Sequence, residues 1–172
     1  MFEIEMLPAR EGDALWIRYG NPDALRQILI DGGRAGTYNE IKERVAQLPA
    51  DQRKFELFVI THVDRDHIEG ALKLLEDPDL DLAFGEIWFN GYDHLKGVEL
   101  ETFGAMQGER LTTAILRRKA RWNTAFSGGA VKVDDVGDLP LRKLKGGMKL
   151  TILSPDTDKL TKLVPAWLAP TP

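Results

Sequence analysis

The chain has 172 residues, 43% hydrophobic and 29% charged, which fits one soluble globular domain and excludes a low-complexity or disordered polymer. Its formal net charge of −4 gives no global basic field of the kind that holds nucleic acid. There are no cysteines, so a disulfide framework and a thiolate metal site are excluded.

Residues 2–7 alternate apolar and acidic side chains, with Phe2, Ile4 and Met6 on one face, and predict a half-buried strand. Residues 14–19 and 26–30 predict two more strands, joined through the turn Gly20-Asn21-Pro22-Asp23. Asp31-Gly32-Gly33 ends the third strand, where the glycines allow a sharp turn and close backbone approach. Residues 37–48 predict a helix with Ile41, Val45 and Leu48 as its apolar stripe, ended by Pro49. Thr37 and Glu40 have the spacing of a capping box.

The apolar run 55–60 then predicts a buried strand that leads into Thr61-His62-Val63-Asp64-Arg65-Asp66-His67. His62, Asp64, Asp66 and His67 are four potential metal ligands in six residues, in a chain with three histidines in all. Mixed nitrogen and oxygen donors on a loop between a strand and a helix suit zinc or manganese. The plainer reading leaves Asp64 and Asp66 as loop acids, one of them capping the helix predicted over 68–75.

Residues 86–90 predict a further strand. His94, in the loop after it, could reach the site or be a surface histidine. Residues 99–119 predict helix, with Gly104 and Gly108 as weak points. Arg117, Arg118, Lys119 and Arg121 read as a solvated helix end, although a local basic face is open. Ser127-Gly128-Gly129 predicts a turn, 131–133 and 149–153 short strands, and 156–168 a helix that Pro165 disturbs. Trp16, Trp88, Trp122 and Trp167 read as core or interface anchors. The pattern suits an α/β or α+β layer protein with helices covering a mixed sheet. No run reaches the ~18 apolar residues of a membrane span. The first ten residues also lack signal-peptide order, so a cytoplasmic protein is expected.

Thr61-His62-Val63-Asp64-Arg65-Asp66-His67-Ile68-Glu69-Gly70 resembles the HxHxDH motif of the metallo-β-lactamase fold, with Asp64 in place of the second histidine. It is similar to the branch that includes the metal-dependent domain of DNA-uptake competence proteins. Glu11-Gly12-Asp13-Ala14-Leu15-Trp16-Ile17, Ile28-Leu29-Ile30-Asp31-Gly32-Gly33 and Leu150-Thr151-Ile152-Leu153-Ser154-Pro155 resemble three further segments of that branch, in the same order. The resemblance spans about residues 2–156. It implies a metal-dependent hydrolase, most plausibly of phosphodiesters. His62 and Asp64 would take one ion and Asp66 and His67 a second, with Asp66 also orienting water. Asp31 would support the ligands, unless it is only a turn acid. Arg65 could meet a substrate phosphate or pair with a nearby acid.

The pattern also departs from the family. No Thr-Gly-Asp and no His-His-Gly-Ser occurs in the chain, and the only histidine after His67 is His94. The resemblance therefore implies the first half of the fold, in one domain over 1–172. It implies weak turnover by this chain alone, or a non-catalytic binding or structural subunit. A sheet face left bare, comprising 2–6, 55–60 and 87–89, would bind a second copy or a partner supplying the other half.

Overall fold

The computed structural model describes residues 1–95, 106–134 and 136–168. Its centre is a five-stranded mixed sheet that runs, in spatial order, through β1 (Phe2–Met6), β2 (Leu15–Asn21), β3 (Ala24–Ile30), β5 (Leu57–Ile60) and β7 (Ile87–Phe89). Strands β1, β2 and β3 form an antiparallel meander. Strands β5 and β7 continue it in parallel with β3. The parallel strands carry apolar residues without alternation because both their faces are covered. A second, two-stranded parallel ladder joins β4 (Lys54–Phe55) to β6 (Ala83–Phe84).

Three helices, α1 (Thr37–Gln47), α2 (Arg65–Glu76) and α3 (Met106–Arg117), cover one face. Ile41 and Val45 of α1, Ile68, Leu72 and Leu75 of α2, and Leu111 and Ile115 of α3 pack with Trp16, Leu29, Phe58, Ile60 and Phe89. Full burial of one such side chain is worth about 1.5–3 kcal/mol. Arg118, just after α3, donates to the carbonyls of Leu74, Leu75 and Asp77 at the end of α2. One member of the basic cluster thus caps a neighbouring helix.

The other face is covered by the chain's own later residues. Ile17, Tyr19, Ile28, Leu57 and Trp88 pack against Phe126, Val131, Leu144, Met148, Leu150 and Ile152. These come partly from a hairpin of β8 (Leu141–Lys143) and β9 (Lys149–Thr151). Phe55, Leu57, Phe58, Ile60 and Ile87 to Phe89 are buried and Val59 is half-buried, against the expectation of a bare face. Only the β1 part of that expectation stands, with Phe2 63%, Ile4 53% and Met6 76% exposed. The period of two holds in β1, but alternation alone does not say which face turns inward. Glu3 and Glu5 take the half-buried side, paired with Arg18, and Glu5 also with Arg44 of α1.

Other sequence expectations shift locally. Thr37 is the first residue of α1 rather than its cap; Gly36 holds the cap position, and no side chain caps it. Residues 131–133 form no strand, because Val131 is paired with the side chain of Asn90 instead of a ladder. Gly108 does not interrupt α3, while residues 99–105 lie outside the described residues. Helix α4 (Thr157–Leu168) runs through Pro165. The Asp156 carboxylate accepts the Lys159 N–H at its start, and that bond holds the Asp156 carboxyl below the usual range. The side chain of Trp167 lies outside the described residues.

Buried Asn123 closes the free edge of β7. Its side chain accepts from the Phe89 N–H and donates to the Phe89 and Gly129 carbonyls, all at 3.0 Å. No helix among the described residues is long and apolar enough to cross a membrane.

Candidate metal centre

The parallel strands β3 and β5 end side by side, and the residues that leave them meet at the start of α2. Asp31 follows β3 directly. It is 2% exposed and has a left-handed φ of 56°. That conformation costs roughly 1 kcal/mol for a residue with a Cβ, and aspartate tolerates it better than most. Its Oδ1 accepts from the Thr61 N–H at 2.8 Å, and its Oδ2 from the Thr61 hydroxyl at 2.6 Å. Oδ2 also lies 3.0 Å from His67 Nδ1. A carboxylate only accepts, so His67 Nδ1 is the donor of this bond. Orienting an imidazole in this way is how a carboxylate prepares a histidine for a cation.

Helix α2 begins three residues earlier than its apolar periodicity suggests. Asp64 takes the cap position in extended conformation, and its carbonyl accepts from the His67 and Ile68 N–H groups. Asp66 and His67 therefore lie on the first helical turn, not on a loop. A carboxylate there is favoured by the positive end of the helix dipole.

The other matching segments close around this turn. The Gly32 N–H donates to the His67 carbonyl and the Gly70 N–H to the Gly33 carbonyl, both at 2.9 Å. The Gly33 N–H donates to the Asp13 carbonyl. A Cβ on Gly12 would stand 1.8 Å from the Asp66 carbonyl oxygen, and one on Gly70 1.9 Å from that of Gly32. The glycines are required because backbone meets backbone. Glu11-Gly12-Asp13, Asp31-Gly32-Gly33 and the histidine motif are thus one contiguous structure.

His62 and His67 come together with ring centroids 3.8 Å apart. His62 Nδ1 lies 3.2 Å from Asp64 Oδ2, and His67 Nε2 lies 3.5 Å from Asp66 Oδ2. The four residues stand as two adjacent histidine–aspartate pairs. Among the described residues, no three His, Asp or Glu groups are arranged as a ready set of metal ligands. The donor chemistry and the Asp31 support suit a divalent cation, whereas a closed ligand shell is not present.

Arg65 and His94 have other partners. Arg65 forms an ion pair with Glu69 one turn along α2, at 2.9 Å. Glu69 also accepts the Ala35 N–H. Burial opposes its ionisation, yet that N–H, Arg65 and Arg34 together hold its carboxyl below the usual range. Arg34 is itself paired with Glu11 at 2.6 Å. Both rim arginines are thus engaged by glutamates. Among the described residues, neither Asp64 nor Asp66 has a lysine or arginine ion pair, which keeps the centre anionic.

His94 is built into the β7 edge. Its Nδ1 accepts the Gly91 N–H at 3.1 Å, its Nε2 lies 3.4 Å from Asn123 Nδ2, and its ring meets Trp122 edge-on at 4.5 Å. Burial pushes the His94 imidazole below its ordinary value. Sequence reasoning missed Thr61 and Glu69 as supports of the site. Thr61 has a readable signal, a hydroxyl beside the motif, whereas Glu69 needs the fold to reach Ala35.

No protein-family model matches the sequence, and no curated protein matches it. Among solved structures it is similar to one from Thermotoga maritima described as a "putative metallo-beta-lactamase", with 19% identity and a TM-score of 0.42. The match covers 70% of this chain and 57% of that one.

Proposed function

We propose that this chain is a divalent-metal-dependent hydrolase of the metallo-β-lactamase superfamily, with phosphodiesters as its substrate class. The observation that carries the reading is the buried Asp31, which fixes Thr61 and orients His67 beside His62. His62, Asp64, Asp66 and His67 would hold zinc or manganese; the carboxylate at Asp64 makes the donor set harder and tilts it toward manganese. A cation there supplies Lewis acidity and activates water for attack on phosphorus or a carbonyl. Asp66, beside His67 Nε2 on the first turn of α2, would orient the attacking water and accept its proton.

A second reading is favoured by the absence of a three-ligand group among the described residues: a binding subunit that keeps the motif without turnover. Cleavage of bis-p-nitrophenyl phosphate with added manganese or zinc separates the two. The hydrolase reading expects slow hydrolysis that requires metal and falls on the order of 100-fold in Asp66→Ala. Metal binding with no hydrolysis gives the second reading, and hydrolysis unchanged in Asp66→Ala contradicts the first.

We also propose that the chain pairs with a second copy through β1. This strand is one edge of the sheet and presents Phe2, Ile4 and Met6 to solvent. Antiparallel pairing of two such edges about a two-fold axis satisfies the free edge and sets the two apolar stripes side by side on one face of a continuous sheet. Light scattering at micromolar concentration should give twice the chain mass of 19.3 kDa, and Ile4→Lys should return the single mass. A wild-type monomer contradicts the pairing.

A further inference from the structure

The β8–β9 hairpin has two unlike faces. Leu144, Met148, Leu150 and Ile152 turn toward the sheet and pack on its second hydrophobic core. Arg142 is held on that side too, donating to the Ala125 carbonyl with its guanidinium 4.3 Å from the Phe126 ring centre. The alternate residues point outward, and Leu141, Lys143, Lys149 and Thr151 are all exposed. The Ile152 N–H donates to the Pro140 carbonyl, which carries the same register past the ladder toward Leu139 and Leu153.

The charges of this segment are of one sign. Residues 139–155 contain four cations and no acid, in a chain whose net charge is −4. Lys143 stands directly opposite Lys149 in the ladder, and Lys145 follows on the connecting turn. Like charges so opposed repel each other. None of the three lysines has an ion pair among the described residues. Beside them lie bare aliphatic side chains, with Leu139 50%, Leu141 45% and Leu153 70% exposed. A lysine on a free strand edge guards against unwanted pairing. That role calls for neither the third lysine on the turn nor the three leucines.

The combination selects among anionic partners. Lysine is depleted from protein–protein interfaces, whose centres favour aromatic residues and arginine. Single-stranded nucleic acid is held by aromatic stacking as well as by charge, and the outward row carries no aromatic residue. Duplex DNA offers phosphates but nothing for exposed leucines outside its grooves. The surface of an anionic bilayer offers both, headgroup phosphates for lysines and acyl chains just beneath for short aliphatic side chains. Such contact is peripheral and needs no spanning helix, and the described residues contain none.

We propose that the outer face of the β8–β9 hairpin docks on an anionic phospholipid surface. Lys143, Lys145 and Lys149 meet the headgroups, and Leu139, Leu141 and Leu153 dip between them. No residue of the candidate metal centre takes part, so the docking stands or falls apart from the hydrolase reading.

The probe is a vesicle of equal parts phosphatidylglycerol and phosphatidylcholine, sedimented with the full chain. Binding should be saturable, at least ~10-fold weaker to pure phosphatidylcholine, and released by salt. Lys143→Gln with Lys149→Gln should weaken it roughly 10- to 30-fold. The melting temperature of that variant should hold or rise, because a repulsion is removed. Leu141→Ser with Leu153→Ser should weaken binding at least several-fold at unchanged charge. Arg117→Gln with Lys119→Gln takes the same charge from the end of α3 and should change little. No binding to the mixed vesicles overturns the proposal, as does an equal loss in the α3 variant or an unchanged affinity in the leucine variant. Duplex DNA and polyglutamate are run in parallel. Binding of either one in place of the vesicles overturns the proposal in favour of nucleic acid or of an acidic protein.

Discussion

Asp31→Ala is expected to destabilise the protein by about 4 kcal/mol and to weaken metal binding roughly 10- to 100-fold. The side chain is buried and serves three donors, the Thr61 N–H, the Thr61 hydroxyl and His67 Nδ1. Its removal leaves the backbone N–H and the imidazole without an acceptor, at about 1–3 kcal/mol each. Alanine also tolerates the left-handed φ of 56° less well than aspartate. The metal effect has a separate origin, because the freed His67 ring no longer has a fixed tautomer or orientation. Asp31→Asn keeps one acceptor and the tolerance for that backbone, so about half of the stability loss is expected. Urea unfolding and metal titration on both variants check the pair. Full stability in Asp31→Ala would mean that the buried carboxylate is not what joins β3 to α2.

Gly70→Ala is expected to cost about 3 kcal/mol or more, the scale of overpacking where neighbours cannot move aside. The new methyl would lie 1.9 Å from the Gly32 carbonyl oxygen and 2.8 Å from its carbon, both backbone atoms. Helix α2 and the Asp31-Gly32-Gly33 turn would have to separate, breaking the bonds from Gly32 to His67 and from Gly70 to Gly33. Metal affinity should fall with stability, because the same contact positions His67. Gly36→Ala is the control. A Cβ there meets nothing within 4 Å, and a change of about 1 kcal/mol or less is expected. Similar melting temperatures for the two variants would refute the close-approach account.

Much of this centre was legible in the sequence because its determinants are local. An apolar run, a turn of two glycines and a dense histidine–aspartate string identify strands β3 and β5, the Asp31 turn and α2 without long-range information. What was not legible depends on distant residues. The early start of α2 falls where the apolar periodicity has not begun, on a turn that Gly12 and Gly32 meet from distant parts of the chain. The outward turn of Phe2, Ile4 and Met6 follows from Arg18 and Arg44, which hold Glu3 and Glu5 on the other side. Cover for the second sheet face comes from residues 126–152, whose short, turn-rich sequence gives little sign of a hairpin. His94 looked free in sequence because its ring partners, Asn123 and Trp122, lie about thirty residues further on.

His62, Asp64, Asp66 and His67, with Asp31 behind them, are proposed to hold a divalent cation. Calorimetric titration of chelator-treated protein with manganese and with zinc tests it most directly. The account predicts saturable binding of one or two ions per chain, weakened at least 10-fold in His67→Ala and in Asp66→Ala, with both variants still folded. Absence of saturable binding, or binding unchanged in both variants, would contradict it.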